Sequence, residues 1–274
     1  MVVTDLDGTL LQNNRKISTR DYDTLLLLGR KSILRVIATG RSLYSSRGVL
    51  PDDLPIDCLL FSSGAGIVDW TAKKILMKYS LTPAEVRAAV EFLMELGADF
   101  MVHEPIPDNH FFLYYRTGRY NPDFSRRCEL YKEFASELDF TGFTYRSACQ
   151  VLAIEPSGTE SVRIPRVVRA LHWLKVIRTT SPLDKRSIWV EIFPSGVSKA
   201  HAAGWICNHY GLKRKKVLGI GNDYNDLDLL AWVGTGMLVS NAPADLRKQF
   251  RAVSSNDENG FSEAVNIWLK HSKL

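Results

Sequence analysis

The sequence predicts an α/β protein: a doubly wound, mostly parallel sheet interrupted by an inserted α+β domain. Short apolar runs that suit buried strands, at 2–3, 34–38 and 59–61, each end in a polar loop and alternate with helical patterns. That rhythm lapses near Thr82, where strands and helices begin to mix, and it returns at Ile188. At 274 residues the chain can bury two cores. The expected division is a core made of 1–80 and 188–274, with 81–187 inserted.

In chain order, Val2-Val3 is a strand that runs out into Asp5-Leu6-Asp7-Gly8-Thr9-Leu10. Its lead is short, because a buried strand usually needs about five or six residues; either the strand is clipped or the native chain starts upstream of Met1. Ser18 suits the cap of a helix over 21–31, with Tyr22, Leu25, Leu26 and Gly29 on one side. The strand at 34–38 ends at Thr39-Gly40-Arg41-Ser42, and the strand at 59–61 ends at Ser62-Ser63-Gly64. Parallel sheets bind ligands beyond the carboxyl ends of their strands, where Asp5, Thr39 and the Ser62-Ser63 loop all fall.

Thr82-Pro83-Ala84-Glu85 opens a helix towards Gly97, with a Thr cap, Pro in the first turn and Glu at the third position. Within the insertion, strands are expected at 99–103, 110–116, 150–154 and 176–180, and helices at 128–138 and 161–174. That mixture implies an antiparallel sheet carrying helices on one face. The run at 188–193 is assigned to the returning parallel sheet, and Ser198-Lys199 opens a helix through Tyr210. Strands at 217–220 and 236–239 then flank a helix over 226–231.

Hydrophobic residues make up 45% of the chain and charged residues 24%, the balance of an ordinary soluble globular protein. A net charge of +5 suits anionic small substrates as readily as nucleic acid. The one dense basic run, Lys213-Arg214-Lys215-Lys216, has no interleaved aromatic platform and reads as a solvated helix-to-strand connection. Cys58, Cys128, Cys149 and Cys207 are scattered without metal-ligand spacing, so reduced thiols are expected. With no secretory signal pattern and no apolar run near the ~18 residues of a membrane span, the protein is expected to be cytoplasmic. Neither a nucleic acid nor a membrane is expected as a partner, and a monomer or weak homodimer is.

Asp5 and Asp7 stand one residue apart at a strand end, so both can point the same way while Leu6 points elsewhere. One carboxylate can then attack an electrophile while the other moves a proton. Gly8 allows a tight turn after the pair, and Thr9 can hydrogen-bond across it. The plain alternative is a strand-ending Asx-turn.

Four stretches in order, 5–10, 38–42, Ser198-Lys199 and 219–226, resemble the haloacid dehalogenase superfamily of phosphohydrolases. The likeness is to its Cof-like branch, which has a large cap domain between the second and third motifs. Ser240-Asn241-Ala242 and 256–260 are similar to that branch as well. The resemblance implies a phosphatase for a small phosphorylated metabolite, most plausibly a sugar phosphate, with Mg²⁺ as cofactor. It implies Asp5 as the nucleophile that becomes an aspartyl-phosphate, and Asp7 as the acid for the leaving alkoxide and then the base for water. Thr39, Gly40, the backbone around Leu6 and Asp7, Lys199 and Asn225 would hold the phosphate. The metal would take Asp5, the Asp7 carbonyl, and ligands from Asn222, Asp223 and Asp226, the last in direct or indirect contact. One departure is Gly221-Asn222, where the family usually has Gly-Asp; an amide brings an oxygen but no charge, so weaker Mg²⁺ binding is expected. His103, His110, Tyr114, Arg116 and Arg119 are candidate substrate contacts from the insertion. Two alternatives stay open, a phosphomutase of the same superfamily and a non-catalytic binder of phosphate ligands that has lost a metal ligand at Asn222.

Overall fold

Strand β1 (Val2–Asp5) is buried at all four positions, as a strand covered on both faces must be. The first segment continues with α1 (Thr19–Arg30), β2 (Arg35–Ala38), α2 (Leu43–Arg47), β3 (Cys58–Phe61), β4 (Gly66–Asp69) and β5 (Lys74–Lys78). The middle supplies α3 (Pro83–Leu96), β6 (Phe100–His103), β7 (Phe112–Tyr115), α4 (Pro122–Leu130), β8 (Ala135–Glu137), β9 (Gln150–Glu155), α5 (Glu160–Ala170), β10 (Lys175–Thr180) and β11 (Ile188–Phe193). The last segment adds α6 (Lys199–His209), β12 (Leu218–Gly221), α7 (Leu227–Trp232), β13 (Thr235–Val239), β14 (Arg251–Val253) and α8 (Gly260–His271). This computed structural model describes residues 1–141, 144–158 and 160–271.

The first unit joins Met1–Lys78 to Ser198–Leu274. Its eight-stranded sheet has the order β14-β13-β12-β1-β2-β3-β4-β5, parallel from β14 to β3 and antiparallel at β4 and β5. On one face Ala202, Ala203 and Ile206 of α6 and Leu229 of α7 pack with Val3, Val36, Ala38, Cys58 and Leu60. On the other lie α1 and α8. This is the doubly wound arrangement, and its helices on both faces explain the continuous apolar strands.

Ser18 caps α1, its hydroxyl accepting the Asp21 amide at 3.0 Å. The buried face of that helix is Asp21, Thr24, Leu25 and Leu28 rather than the apolar stripe expected. Asp21 can be buried because its carboxylate accepts from both the amide (3.0 Å) and the hydroxyl (2.5 Å) of Ser262 in α8. Thr24 also bonds that hydroxyl, at 2.8 Å. The basic run 213–216 is exposed and forms a short turn before β12, as expected. All four cysteines are buried and free.

The second unit, Tyr79–Val197, has a six-stranded sheet in the order β10-β11-β9-β6-β7-β8. Every neighbouring pair is antiparallel except β7 and β8. Here the sequence reading needs three corrections. Ile188–Phe193 belongs to this sheet, between β10 and β9, so the unit ends at Val197 rather than near 187. Its six buried residues look like a parallel core strand, but a central antiparallel strand buried on both faces has the same pattern. The helix expected at 128–138 lies earlier, because Asn121 caps it by accepting the Phe124 amide and Pro122 takes its first turn; 135–137 is a strand. Helices also cover both faces: Val86, Val90 and Leu93 of α3 pack with Val151 and Val190, whereas Phe124 and Cys128 of α4 pack with Met101, Phe112 and Leu152. Thr82 forms the expected capping box with Glu85. Among the described residues no helix is long and apolar enough to cross a membrane.

Candidate active site

Parallel pairing brings three strand ends level in the first unit, since Asp5 pairs with Ala38 and Thr4 with Ile220. The loops that begin at Leu6, Thr39 and Asn222 therefore leave the sheet from one edge. Asp5 is 5% exposed, and Thr9 donates its hydroxyl back to Asp5 Oδ2 at 3.1 Å, the bond across the turn expected of it. Gly8 makes that turn at φ +74°, and a β-carbon there would come within 2.6 Å of the Asn222 side-chain nitrogen.

Ser198 caps α6 through the His201 amide (3.1 Å), and the helix begins with Lys199. The Lys199 side chain is 1% exposed, and its Nζ donates to Asp5 Oδ1 and Asp226 Oδ1, each at 2.6 Å. Burial alone would lower the Lys199 pKa, but the Asp226 and Asp5 carboxylates together hold it charged and above its ordinary value. For Asp5 burial dominates, and despite Lys199 its carboxyl is pushed up to about 7.

Asp226 is fully buried, and its Oδ2 accepts the Asn222 (2.8 Å) and Asp223 (3.1 Å) amides. With Oδ1 on Lys199, Asp226 acts as the brace of this loop. Gly221 makes the arrangement possible, because a β-carbon there would sit 2.5 Å from the Asp226 carboxyl group. Asp223 accepts its neighbour Tyr224's amide at 2.8 Å, and Asn225 lies in the short turn Tyr224–Asp226, partly buried. Thr39 is buried, its hydroxyl accepting the Arg41 amide (3.1 Å) and its carbonyl the Ser63 amide (3.0 Å). Gly40 follows, partly buried.

Two features escaped the reading of the sequence. The Arg41 guanidinium grips both oxygens of Asp7, Nε to Oδ2 at 2.7 Å and Nη2 to Oδ1 at 2.6 Å. Arg41 belongs to a motif already singled out, but nothing in one strand-end loop reveals a partner 34 residues away. Asn241 donates to the Gly8 carbonyl (2.8 Å) and accepts the Asn256 amide (3.0 Å), so the later two similar stretches brace the turn after Asp7.

Among the described residues no three His, Cys, Asp or Glu side chains gather closely enough to hold a metal ion by themselves. The donors at this edge are nevertheless hard oxygens, from Asp5, Asp223, the Asn222 amide and backbone carbonyls. Asp5 and Asp226 also share a single ammonium while buried, so two acidic side chains meet one fixed cation. Oxygen donors of this kind fit a hard divalent cation that is completed by carbonyls and water.

Of the candidates in the second unit, His103 is 3% exposed, bonded at Nδ1 to the Asn109 carbonyl, and held neutral by burial, which lowers its pKa to about 3. Arg119 bonds the Gly97 carbonyl at the end of α3. Arg116 lies over the rings of Tyr114 and Phe124, and His110 packs on Phe111 and Phe134.

Comparison with known proteins agrees with this architecture. A 5-amino-6-(5-phospho-D-ribitylamino)uracil phosphatase of Bacillus subtilis is 21% identical over 98% of this chain and 97% of its own. An HMP-PP phosphatase of Klebsiella pneumoniae is also 21% identical, over 98% and 96%. Among solved structures, a phosphatase of the haloalkanoate enzyme superfamily from Bacteroides thetaiotaomicron superposes with a TM-score of 0.76 at 21% identity, covering 97% of this chain and 94% of that one. A sugar phosphatase of subclass IIB gives 0.77 at 19% identity, covering 97% and 98%. These structures share the fold. The model of the haloacid dehalogenase-like hydrolases matches residues 2–265, nearly the whole sequence, and the chain belongs to that family.

Proposed function

We propose that the protein is a Mg²⁺-dependent phosphatase that hydrolyses a small phosphorylated metabolite, a sugar phosphate by preference, in the cytoplasm. The observation that carries the reading is the buried Lys199 joining Asp5 to Asp226, with Asp7 two residues from Asp5. An ammonium fixed on one carboxylate oxygen suits a site where that carboxylate meets an anion.

In this reading Asp5 attacks phosphorus, and the bond from phosphorus to the ester oxygen breaks as the Asp5–phosphorus bond forms. Asp7 gives a proton to the departing alkoxide, since an alcohol is a poor leaving group without one. Asp7 then takes a proton from water as water attacks phosphorus, releasing inorganic phosphate and restoring the Asp5 carboxylate. Thr39, Gly40, Asn225 and the backbone at Leu6 and Asp7 bind the phosphate oxygens. Lys199 holds the phosphate and Asp5 together. Asp5, the Asp7 carbonyl and Asn222 or Asp223 would hold Mg²⁺, whose charge would offset the repulsion between Asp5 and a phosphate dianion. In the same reading the unit Tyr79–Val197 is the inserted cap domain.

The test is release of inorganic phosphate from an aryl phosphate and a panel of sugar phosphates, with Mg²⁺ titrated and Asp5→Asn in parallel. Turnover that requires Mg²⁺ and is lost in Asp5→Asn is expected. Phosphate that reappears on a second hydroxyl of the substrate would indicate a mutase. No turnover at any Mg²⁺ concentration would favour the non-catalytic binder.

A further inference from the structure

We infer that Arg41 is the positioning residue for Asp7, setting where the proton-transferring carboxyl stands without itself touching the phosphorus. The inference rests on the role proposed for Asp7.

The two bonds from Nε and Nη2 form a side-on fork that defines the plane of the carboxyl group as well as its place. A third bond, from Nη1 to Ser45 Oγ at 3.1 Å, ties the same guanidinium to α2. The backbone of Arg41 is held too: its amide donates to Thr39 Oγ1, and its carbonyl accepts the Ser62 amide at 2.7 Å. Ser62 and Ser63 both adopt left-handed backbone geometry, at φ 50° and 55°, in making these contacts with the Thr39–Arg41 loop. Arg41 is thus fixed at its backbone and at its tip.

Stability does not account for such a construction. The side chains of Arg41 and Asp7 are 22% and 40% exposed, and ion pairs this accessible to water add little to stability. What the fork supplies is orientation. Among the described residues the hydrogen bonds to the Asp7 carboxyl come from Arg41, and the Asp7 side chain is 40% exposed. Proton transfer is sensitive to such restraint, because a displacement of about 1 Å can cost on the order of a hundredfold in rate.

A residue acting through Asp7 matters in proportion to how much the leaving group needs a proton. p-Nitrophenolate leaves readily without one, whereas a sugar alkoxide does not. The quantity to compare is kcat/KM, which ends at phosphoryl transfer and excludes hydrolysis of the intermediate common to all substrates. Arg41→Ala is expected to lower kcat/KM on a hexose phosphate by on the order of a hundredfold and to leave p-nitrophenyl phosphate little changed. Arg41→Lys keeps the charge but not the fork, and should recover only part of the loss.

Phenyl phosphate, with a leaving group of intermediate need, permits a double-mutant cycle. Arg41→Ala added to Asp7→Asn should cost nothing beyond Asp7→Asn alone. Equal losses on both esters, or additive losses in the cycle, would overturn the inference and leave Arg41 as a loop anchor. No turnover by the unaltered protein would overturn the phosphatase reading itself and this inference with it, a result seen before any Arg41 variant is assayed.

Discussion

Lys199 and Asp5, 194 positions apart in the sequence, are joined by a buried 2.6 Å ion pair at the carboxyl edge of the parallel sheet. The same ammonium holds Asp226, so three ionisable groups share a space that water scarcely reaches. Buried charges of this kind are tolerable only while each keeps its partner.

Removing Lys199 therefore has two effects. Lys199→Ala leaves two buried carboxylates without their cation, and unfolding midpoints in urea should show a loss of about 3–5 kcal/mol. Activity should fall by about 10²–10³ or more, the scale for losing one fixed electrostatic contact in an active site. Adding Asp226→Asn should restore part of the stability and none of the activity. If the double variant were no more stable than the single, the shared ammonium would not be the reason for the loss.

Asp5→Asn should abolish turnover and at the same time stabilise the metal-free protein at alkaline pH. Burial raises the Asp5 carboxyl from 3.8 to about 7, so the folded protein gives up this proton less readily than the unfolded chain. Ionisation thus costs stability progressively between those values, and the whole cost is present above pH 7. The melting temperature of the variant should exceed that of the parent at pH 8, with the gap closing towards pH 4. A constant gap from pH 4 to pH 8 would mean that ionisation of Asp5 is not its source.

Asn222 brings an uncharged oxygen to the proposed cation site, beside the turn at Gly8. Asn222→Asp should tighten Mg²⁺ binding by roughly tenfold, because affinity at such sites follows the number of charged ligands. Titration calorimetry on the enzyme without substrate measures this directly. Unchanged affinity would exclude Asn222 from the ligand set.

His103 makes the second unit sensitive to acid. Its folded pKa, lowered first by burial to about 3, lies below the ordinary 6.5. The unfolded chain therefore takes up a proton that the folded protein refuses, and stability falls as pH drops below 6.5. At pH 5 the loss from this one group is about 2 kcal/mol. The decline between pH 7 and pH 5, followed by a probe in Tyr79–Val197, should flatten in His103→Gln; an unaltered slope would count against His103 as the titrating group.

How much of this was legible in the sequence depended on how far each interaction reaches. Ser18, Thr82 and Ser198 announced their helices, because a cap is a bond between a side chain and an amide three residues on. Asp5 and Asp7 were visible as a pair because strand alternation relates near neighbours. The buried face of α1 was misread, since nothing local says that Asp21 meets Ser262, 241 residues later.

The sequence by itself determined the helices opened by Ser18, Thr82 and Ser198, the alternation that makes a doubly wound sheet, and the residue types gathered at strand ends. Tertiary structure alone decided that Ile188–Phe193 joins the antiparallel sheet, because a run of six buried residues suits either kind of neighbour. It alone decided that Asp226 braces Lys199 and the Asn222 loop, and that Arg41 grips Asp7. Periodicity and capping are set within a turn or two of the chain; strand partners, and the sharing of one charge among several groups, arise only when distant segments meet.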